Sequence, residues 1–369
     1  MALARQGFRV SIVTLEIPEA LADVERVAAT QRTLSDVGVS WLRAPFLRGG
    51  SPAVYSKNVL QLLRLALTGA RPAVAWIRGF TAGPIALALR ARGVRFIYDI
   101  RGFWVDQRSQ SDGWPPIAIA AGRALESLYY RNCSAVVSLT ALGAGDVKCG
   151  RFGPWPKDKP AIVIPTCVDY DDFAFERRRT MAELDKKLVL GFVGSVNSDY
   201  LVEASVELFA RVSRLRDDAR LLCISGQHDV VRRLARAAGV AAEKVIGLSA
   251  SHDRMPGLLA QIDWGLLLLK TSDVKRGSMP TKLAEFFASG VRPVHFGCNE
   301  EVGEWVARTE SGFSLPSLNS DALDDAARRI ATSSVDESRL RRAREIAEPH
   351  FSLASGTTRY ASLIRSLMS

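Results

Sequence analysis

Strand-like apolar runs alternate with helical ones along most of this 369-residue chain, and that alternation leaves few folds open. The patterns predict strands at Phe8–Leu15, Ala73–Ile77, Val94–Tyr98, Ala135–Leu139, Ala161–Pro165, Leu188–Val193, Leu221–Ser225 and Trp264–Leu269. Helices are predicted between many of them, at Ile85–Arg92, Ala118–Arg131, Val202–Arg214 and Val230–Ala238. Such alternation is the α/β signature of mainly parallel sheets, because each parallel connection needs a crossover that a helix supplies. The length exceeds what one core normally serves, so two domains are expected.

With 47% hydrophobic and 24% charged residues the chain is globular. No apolar run reaches the roughly 18 to 20 residues needed to span a bilayer, and the start, MALARQGFRV, has no secretory pattern. The five cysteines (Cys133, Cys149, Cys167, Cys223, Cys298) are odd in number, scattered and never C-x-x-C. Neither a disulfide framework nor a zinc site follows; small core residues in a reducing cytoplasm fit best.

The net charge of +10 sits in the first half, where residues up to 160 carry 21 Lys/Arg against 11 Asp/Glu and the rest 28 against 28. From Val37 to Tyr98 there is no acidic residue, but Arg43, Arg48, Lys57, Arg64, Arg71, Arg78, Arg90, Arg92 and Arg95 occur. Such a field favours anionic lipid headgroups, phosphate-bearing acceptors or nucleic acid. Trp41, Tyr55 and Trp76 do not interleave with it as stacking platforms would, which turns the reading from nucleic acid toward a membrane surface. A plain solvated basic face is the competing reading.

Residues 167–187 form a polar stretch of little periodicity and read as the hinge between a basic first Rossmann-like domain, 1–166, and a second, 188–348. Beyond Pro349, residues 349–369 read as a separate closing helix with an apolar face of Leu353, Tyr360, Leu363, Ile364 and Leu367. A doubly wound domain opens with a strand, yet Met1–Gly7 reads as the end of a helix. The first strand, its ligand-facing loop and most of the first helix are therefore expected to be missing from the N-terminal domain.

In open α/β sheets ligands gather at the carboxyl ends of strands. That rule selects Asp99, Arg101, Thr140, Gly194, Ser195, Ser225, Gly226 and Lys270, which together with Ser278–Glu285 would line one interdomain cleft. GSMPTKLAEFFASGVRPVHF (Gly277–Phe296) reads as a helix with Pro280 in its first turn, a face of Leu283, Phe286 and Phe287, a stop at Gly290 and a resumed strand. Lys282, Glu285 and Ser289 share the opposite face. If Met279 is the cap, the first N–H groups are open to a phosphate; if Ser278 is, they are served by ordinary capping. Gly194 would let backbone approach a ligand, and Lys270 or Lys282 would neutralise a diphosphate, unless the one is only a turn and the others surface charges. Asp169-Tyr170-Asp171 has the D-x-D form of some metal–diphosphate sites, but reads better as linker. His228, His252, His295 and His350 lack metal-ligand spacing, so no metal is expected.

Together these segments resemble the family-4 retaining glycosyltransferases of the GT-B fold, in the bacterial cell-surface polysaccharide branch. FIYDIRGFW (Phe96–Trp104) is similar to that branch's D-x-R-G segment, and AVVSLT (Ala135–Thr140) to the strand closing the first domain. IPTCVDYDDF (Ile164–Phe173) is similar to the hinge, and LGFVGSV (Leu190–Val196) to the first donor-domain strand. SMPTKLAEFFASGVRPV (Ser278–Val294) matches P-[ST]-K-x-x-E-x-x-A-x-G-x-x-P-V, the most specific of the set. The resemblance implies two Rossmann-like domains facing across a cleft, with the closing helix crossing back to the first. It further implies a nucleotide-diphosphate sugar (UDP- or GDP-sugar) as donor, held by Glu285 at the ribose and by Ser278, Thr281 and Lys282 at the diphosphate, with no obligatory cofactor or metal. Asp99 and Arg101 stand where many relatives have a histidine near the donor sugar, which with Lys282 makes them the catalytic candidates. Gly194, Ser195, Ser225, Gly226 and Lys270 complete the donor-binding set. The chain departs from the family at Gly277, where many members carry a further glutamate, and in VGSVNSDY, which lacks the usual basic pair. Lys270, Lys275, Arg276 or Lys282 would have to compensate.

The reading is a retaining, metal-independent hexosyl-type transferase of polysaccharide and cell-envelope biosynthesis. It would act on a lipid-linked or polysaccharide acceptor, peripherally on the cytoplasmic face of the membrane, without a nucleic-acid partner. A catalytically silent GT-B binding or assembly module and a nucleotide-sugar epimerase are the alternatives.

Overall fold

The computed structural model describes residues 1–49, 52–111, 114–173, 175, 181–196 and 199–369. Its strands are β1 (Val10–Glu16), β2 (Val39–Pro45), β3 (Val74–Arg78), β4 (Arg95–Ile100), β5 (Ala135–Ser138), β6 (Ala161–Val163), β7 (Leu188–Val193), β8 (Ala219–Ile224), β9 (Val245–Leu248), β10 (Trp264–Leu268), β11 (Arg292–Phe296) and β12 (Phe313–Ser314). The strand ladders are all parallel: β1 pairs with β2, a second sheet runs β3-β4-β5-β6, and a third runs β12-β11-β10-β7-β8-β9. Helices follow most strands, as parallel crossovers require.

The chain divides into unit 1, Met1–Ile164 with Thr357–Ser369, and unit 2, Pro165–Gly356. Unit 1 builds its core from Phe96, Tyr98 and Ile100 of β4, Val136 of β5, and Ile85, Leu89 and Tyr129 of the Gly83–Ala91 and Pro116–Asn132 helices. Unit 2 builds its own from Leu190 and Phe192 of β7, Leu221 and Cys223 of β8, Leu266 and Leu268 of β10, and Val206 and Phe209 of the Val202–Leu215 helix. β4, β5, β7 and β10 are almost wholly buried, which is why they read as unbroken apolar runs.

In unit 2 the chain adds β8 and β9 on one side of β7, then returns to add β10, β11 and β12 on the other. The carboxyl ends of β7 and β10 therefore flank the point where strand order reverses, the place where doubly wound sheets bind ligands.

Three strands escape the sequence patterns: β2 mixes Trp41, Arg43 and Pro45 with apolar residues, β9 has four residues including Gly247, and β12 has two. Asp99 is not after its strand but within β4, fully buried. Pro280 is not in the first helical turn: it occupies the cap position with extended ψ, and the helix runs Thr281–Ser289. Pro349 does not separate the last two helices. It lies in the final turn of Glu337–Phe351, and the break comes at the extended Ser352, before Leu353–Met368. Part of the stretch 167–187, at 174 and 176–180, lies outside the described residues.

Candidate functional site

The Thr281–Ser289 helix is buried from Leu283 through Ser289, because it packs between β10 and the helices of unit 2 rather than lying half in water. Gly290 ends it in the left-handed region, φ 67, where a side chain would be strained. At its other end no side chain among the described residues caps the first N–H groups. Neither cap anticipated for it, Ser278 or Met279, takes that role. Asn299 Nδ2 donates to the carbonyls of Lys275 (2.8 Å) and Ser278 (2.6 Å), and Thr166 Oγ1 donates to that of Met279 (3.0 Å). These bonds hold the loop before the helix while leaving the helix start uncapped. Cys298 packs beside the Ser278 carbonyl; burial pushes its thiol up to about 11, so it is uncharged at neutral pH.

Glu285 is 1% exposed and sits one turn inside that helix start. Lys282, three residues earlier on the same face, donates to Glu285 Oε2 at 2.6 Å and keeps a fifth of its side chain exposed. A buried carboxylate without a partner would be costly, and the lysine supplies one at the edge of solvent.

At the strand ends of unit 2, the segment after β7 folds back over the switch point. Tyr200 bridges Leu269, Leu201 N–H donates to Leu268 O at 2.9 Å, and Lys270 N–H donates to Asp199 O at 2.9 Å. A Cβ on Gly194 (φ 155) would lie 2.7 Å from Tyr200 Cε2, so the room its missing side chain leaves is taken by the Tyr200 ring. Burial, then the charge of Glu285, raises the Tyr200 phenol above its ordinary range, which places it in the field of that carboxylate. Gln227 Oε1 accepts from Val196 N–H (3.3 Å) and Ser195 Oγ (3.5 Å), and Gln227 N–H donates to Ser225 Oγ (3.1 Å). Ser195 and Gly226 are exposed; Ser225 is buried. Of the basic residues considered as compensation, Lys275 is engaged by Asp199, Lys282 by Glu285, and Lys270 is exposed. Asp169 Oδ1 accepts from Asp171 N–H at 3.3 Å, the chemistry of a turn, and among the described residues no group of acids, cysteines and histidines has metal-ligand geometry.

Unit 1 carries a second constellation. Asp99 Oδ2 accepts three hydrogen bonds, from Trp76 Nε1 (2.9 Å), Tyr360 Oη (2.9 Å) and Arg101 Nη2 (3.1 Å), while buried Oδ1 has no partner among the described residues. Burial raises the Asp99 pKa against the pull of Arg101, Trp76, Tyr360 and Arg78. Tyr360 also lies against Trp76, ring centroids 4.1 Å apart. The carboxyl group is thus saturated on one side and shut off on the other, a geometry that positions neighbours better than it abstracts protons. Trp76 and Tyr360 were absent from the sequence-derived set, as were Tyr200, Gln227 and Asn299. Their only signal was a place near a strand end or in the final helix.

Residues 1–163 match the family model described as a glycosyl transferase 4-like domain. Sucrose-phosphate synthase from Thermosynechococcus elongatus is similar in structure, with TM-score 0.72, 14% identity, and coverage of 99% of this chain and 90% of that one. The chain has the GT-B fold of these structures. HepE of Anabaena, whose structure is a complex with UDP and glucose, is similar to this chain at TM-score 0.66 and 13% identity, over 97% of this chain and 100% of that one. WaaG, a glycosyltransferase involved in lipopolysaccharide biosynthesis, aligns at TM-score 0.65 and 16% identity, over 96% and 99%. No curated protein sequence matches the chain, and none of its described helices is long and apolar enough to cross a membrane.

Proposed function

We propose that this protein is a glycosyltransferase that moves a sugar from a UDP- or GDP-sugar to a lipid-linked or polysaccharide acceptor of the cell envelope, with retention of configuration and without an obligatory metal. The observation that carries the donor half is the uncapped helix start at Pro280 with the buried Glu285–Lys282 pair one turn further in. Open N–H groups and the helix dipole suit a diphosphate, and a buried carboxylate suits the ribose hydroxyls. The family model and the UDP complex of HepE support this reading.

On this reading the bond from the anomeric carbon to the diphosphate breaks while the acceptor oxygen bonds to the same face. The acceptor's proton passes to the leaving diphosphate. The protein orients the two substrates and stabilises charge, with Lys282 beside the departing phosphate and no strong base needed. WaaG's role in lipopolysaccharide biosynthesis and the basic first half support a lipid-linked acceptor at the cytoplasmic membrane face.

Calorimetry with UDP tests the assignment. Glu285→Ala should weaken binding ten- to a hundredfold, since a hydrogen bond to a charged group is worth about 1.5–3 kcal/mol, and Lys282→Ala should lower turnover more than affinity. Unchanged UDP affinity in Glu285→Ala would refute the ribose role. Release of free sugar from the donor without acceptor separates a working transferase from a silent binding module.

A further inference from the structure

The parallel register sets Arg78, the last residue of β3, opposite Asp99 of β4. The two-residue period of strands then puts Trp76, Arg78 and Asp99 on one face, and Arg101 turns back to the same carboxylate. Arg78 and Arg101 therefore stand at neighbouring strand ends beside one acid, which pairs with Arg101 alone. Partial burial, then the charge of Arg101, lowers the Arg78 pKa, and Asp99 and Tyr360 oppose it.

The carboxylate serves these cations poorly. Asp99 spends one oxygen on three donors and holds Arg101 through Nη2, while the buried Arg101 Nε has no partner among the described residues. No hydrogen bond or ion pair of the Arg78 side chain occurs among the described residues, and no acidic residue lies between Val37 and Tyr98. The exposed Arg78, without an internal bond among the described residues, and the 27% exposed Arg101 side chain beside the same acid are the donor set that a phosphate with several acceptor oxygens satisfies. The remaining carboxylate oxygen, shut off from solvent, does not face such a ligand.

We propose that Arg78 and Arg101 form an anion site on unit 1 that takes a phosphate or diphosphate group, with Asp99 as the positioning residue that holds Arg101. The site stands on unit 1 alone; that its anion is the phosphate of a lipid-linked acceptor rests on the proposed reaction. The other source of the same chemistry is the donor's own diphosphate.

The test is calorimetric binding of inorganic pyrophosphate to the full chain, with and without saturating UDP. Pyrophosphate should bind in both conditions, more weakly as salt rises. Arg78→Ala should weaken it tenfold or more with UDP affinity unchanged, and Arg101→Lys, which keeps the charge but loses the fork, should also weaken it. Wild-type pyrophosphate affinity in both variants would overturn the site. So would pyrophosphate binding abolished by UDP, which would give the anion to the donor. Failure of Glu285→Ala to alter UDP binding would sink the donor assignment and leave this result standing. Because the Arg78 side chain makes no internal bond among the described residues, Arg78→Ala should keep the wild-type melting temperature, which shows that a loss reports the site and not the fold.

Discussion

Glu126 lies on the Pro116–Asn132 helix with 2% of its surface exposed, and burial pushes its carboxyl from the ordinary 4.5 up to about 8. Asp106 adds to the rise, while Arg151 and Arg123 pull against it. Both arginines are already paired with Asp106, at 2.8 and 3.1 Å, so little of their charge is left for Glu126. The folded protein therefore binds this proton more tightly than the unfolded chain, and stability falls as pH rises from the unfolded value toward 8. At about 1.36 kcal/mol for each tenfold in proton affinity, the loss is of order 4–5 kcal/mol above pH 8 and roughly 3 kcal/mol at pH 7. Glu126→Gln keeps the shape and removes the charge. Urea titrations followed by tryptophan fluorescence should show the variant gaining on the wild type by roughly 3 kcal/mol between pH 5 and 7.5. A gap that stays constant across that range would refute the reasoning, because it would mean that Glu126 titrates alike in both states.

Tyr360→Phe keeps the ring against Trp76 but removes one of the three donors to Asp99, so it should cost about 1.5–3 kcal/mol in the same urea assay. A loss near zero would show that the hydroxyl does not serve the carboxylate. For the basic first half, vesicles containing anionic lipid should bind the protein at low salt and release it at high salt; equal binding to neutral vesicles would remove the electrostatic argument.

Much of the architecture was legible because parallel strands buried on both faces, such as Leu188–Val193 and Trp264–Leu268, appear as short apolar runs between amphipathic helices. The Thr281–Ser289 helix was legible too, through Pro280 before it, its apolar face and the stop at Gly290. β2 was not, because its part-buried pattern mixes charge and proline with apolar residues, and two- and four-residue strands such as β12 and β9 carry too short a pattern to read.

What the sequence by itself determined is the periodic and the local: the parallel α/β class, the Thr281–Ser289 helix with its glycine stop, the placement of charge in the first half, and the family resemblance. What only the tertiary structure decided is who meets whom. It paired Lys282 with a Glu285 buried in a helix that looked half exposed, filled the space beside Gly194 with Tyr200, and left the helix start uncapped by engaging the carbonyls before it. It also brought Tyr360 to Asp99 across 261 residues. The reason is physical: periodicity reports which side of an element is apolar, whereas a buried hydrogen bond depends on the packing of elements that share no sequence neighbourhood.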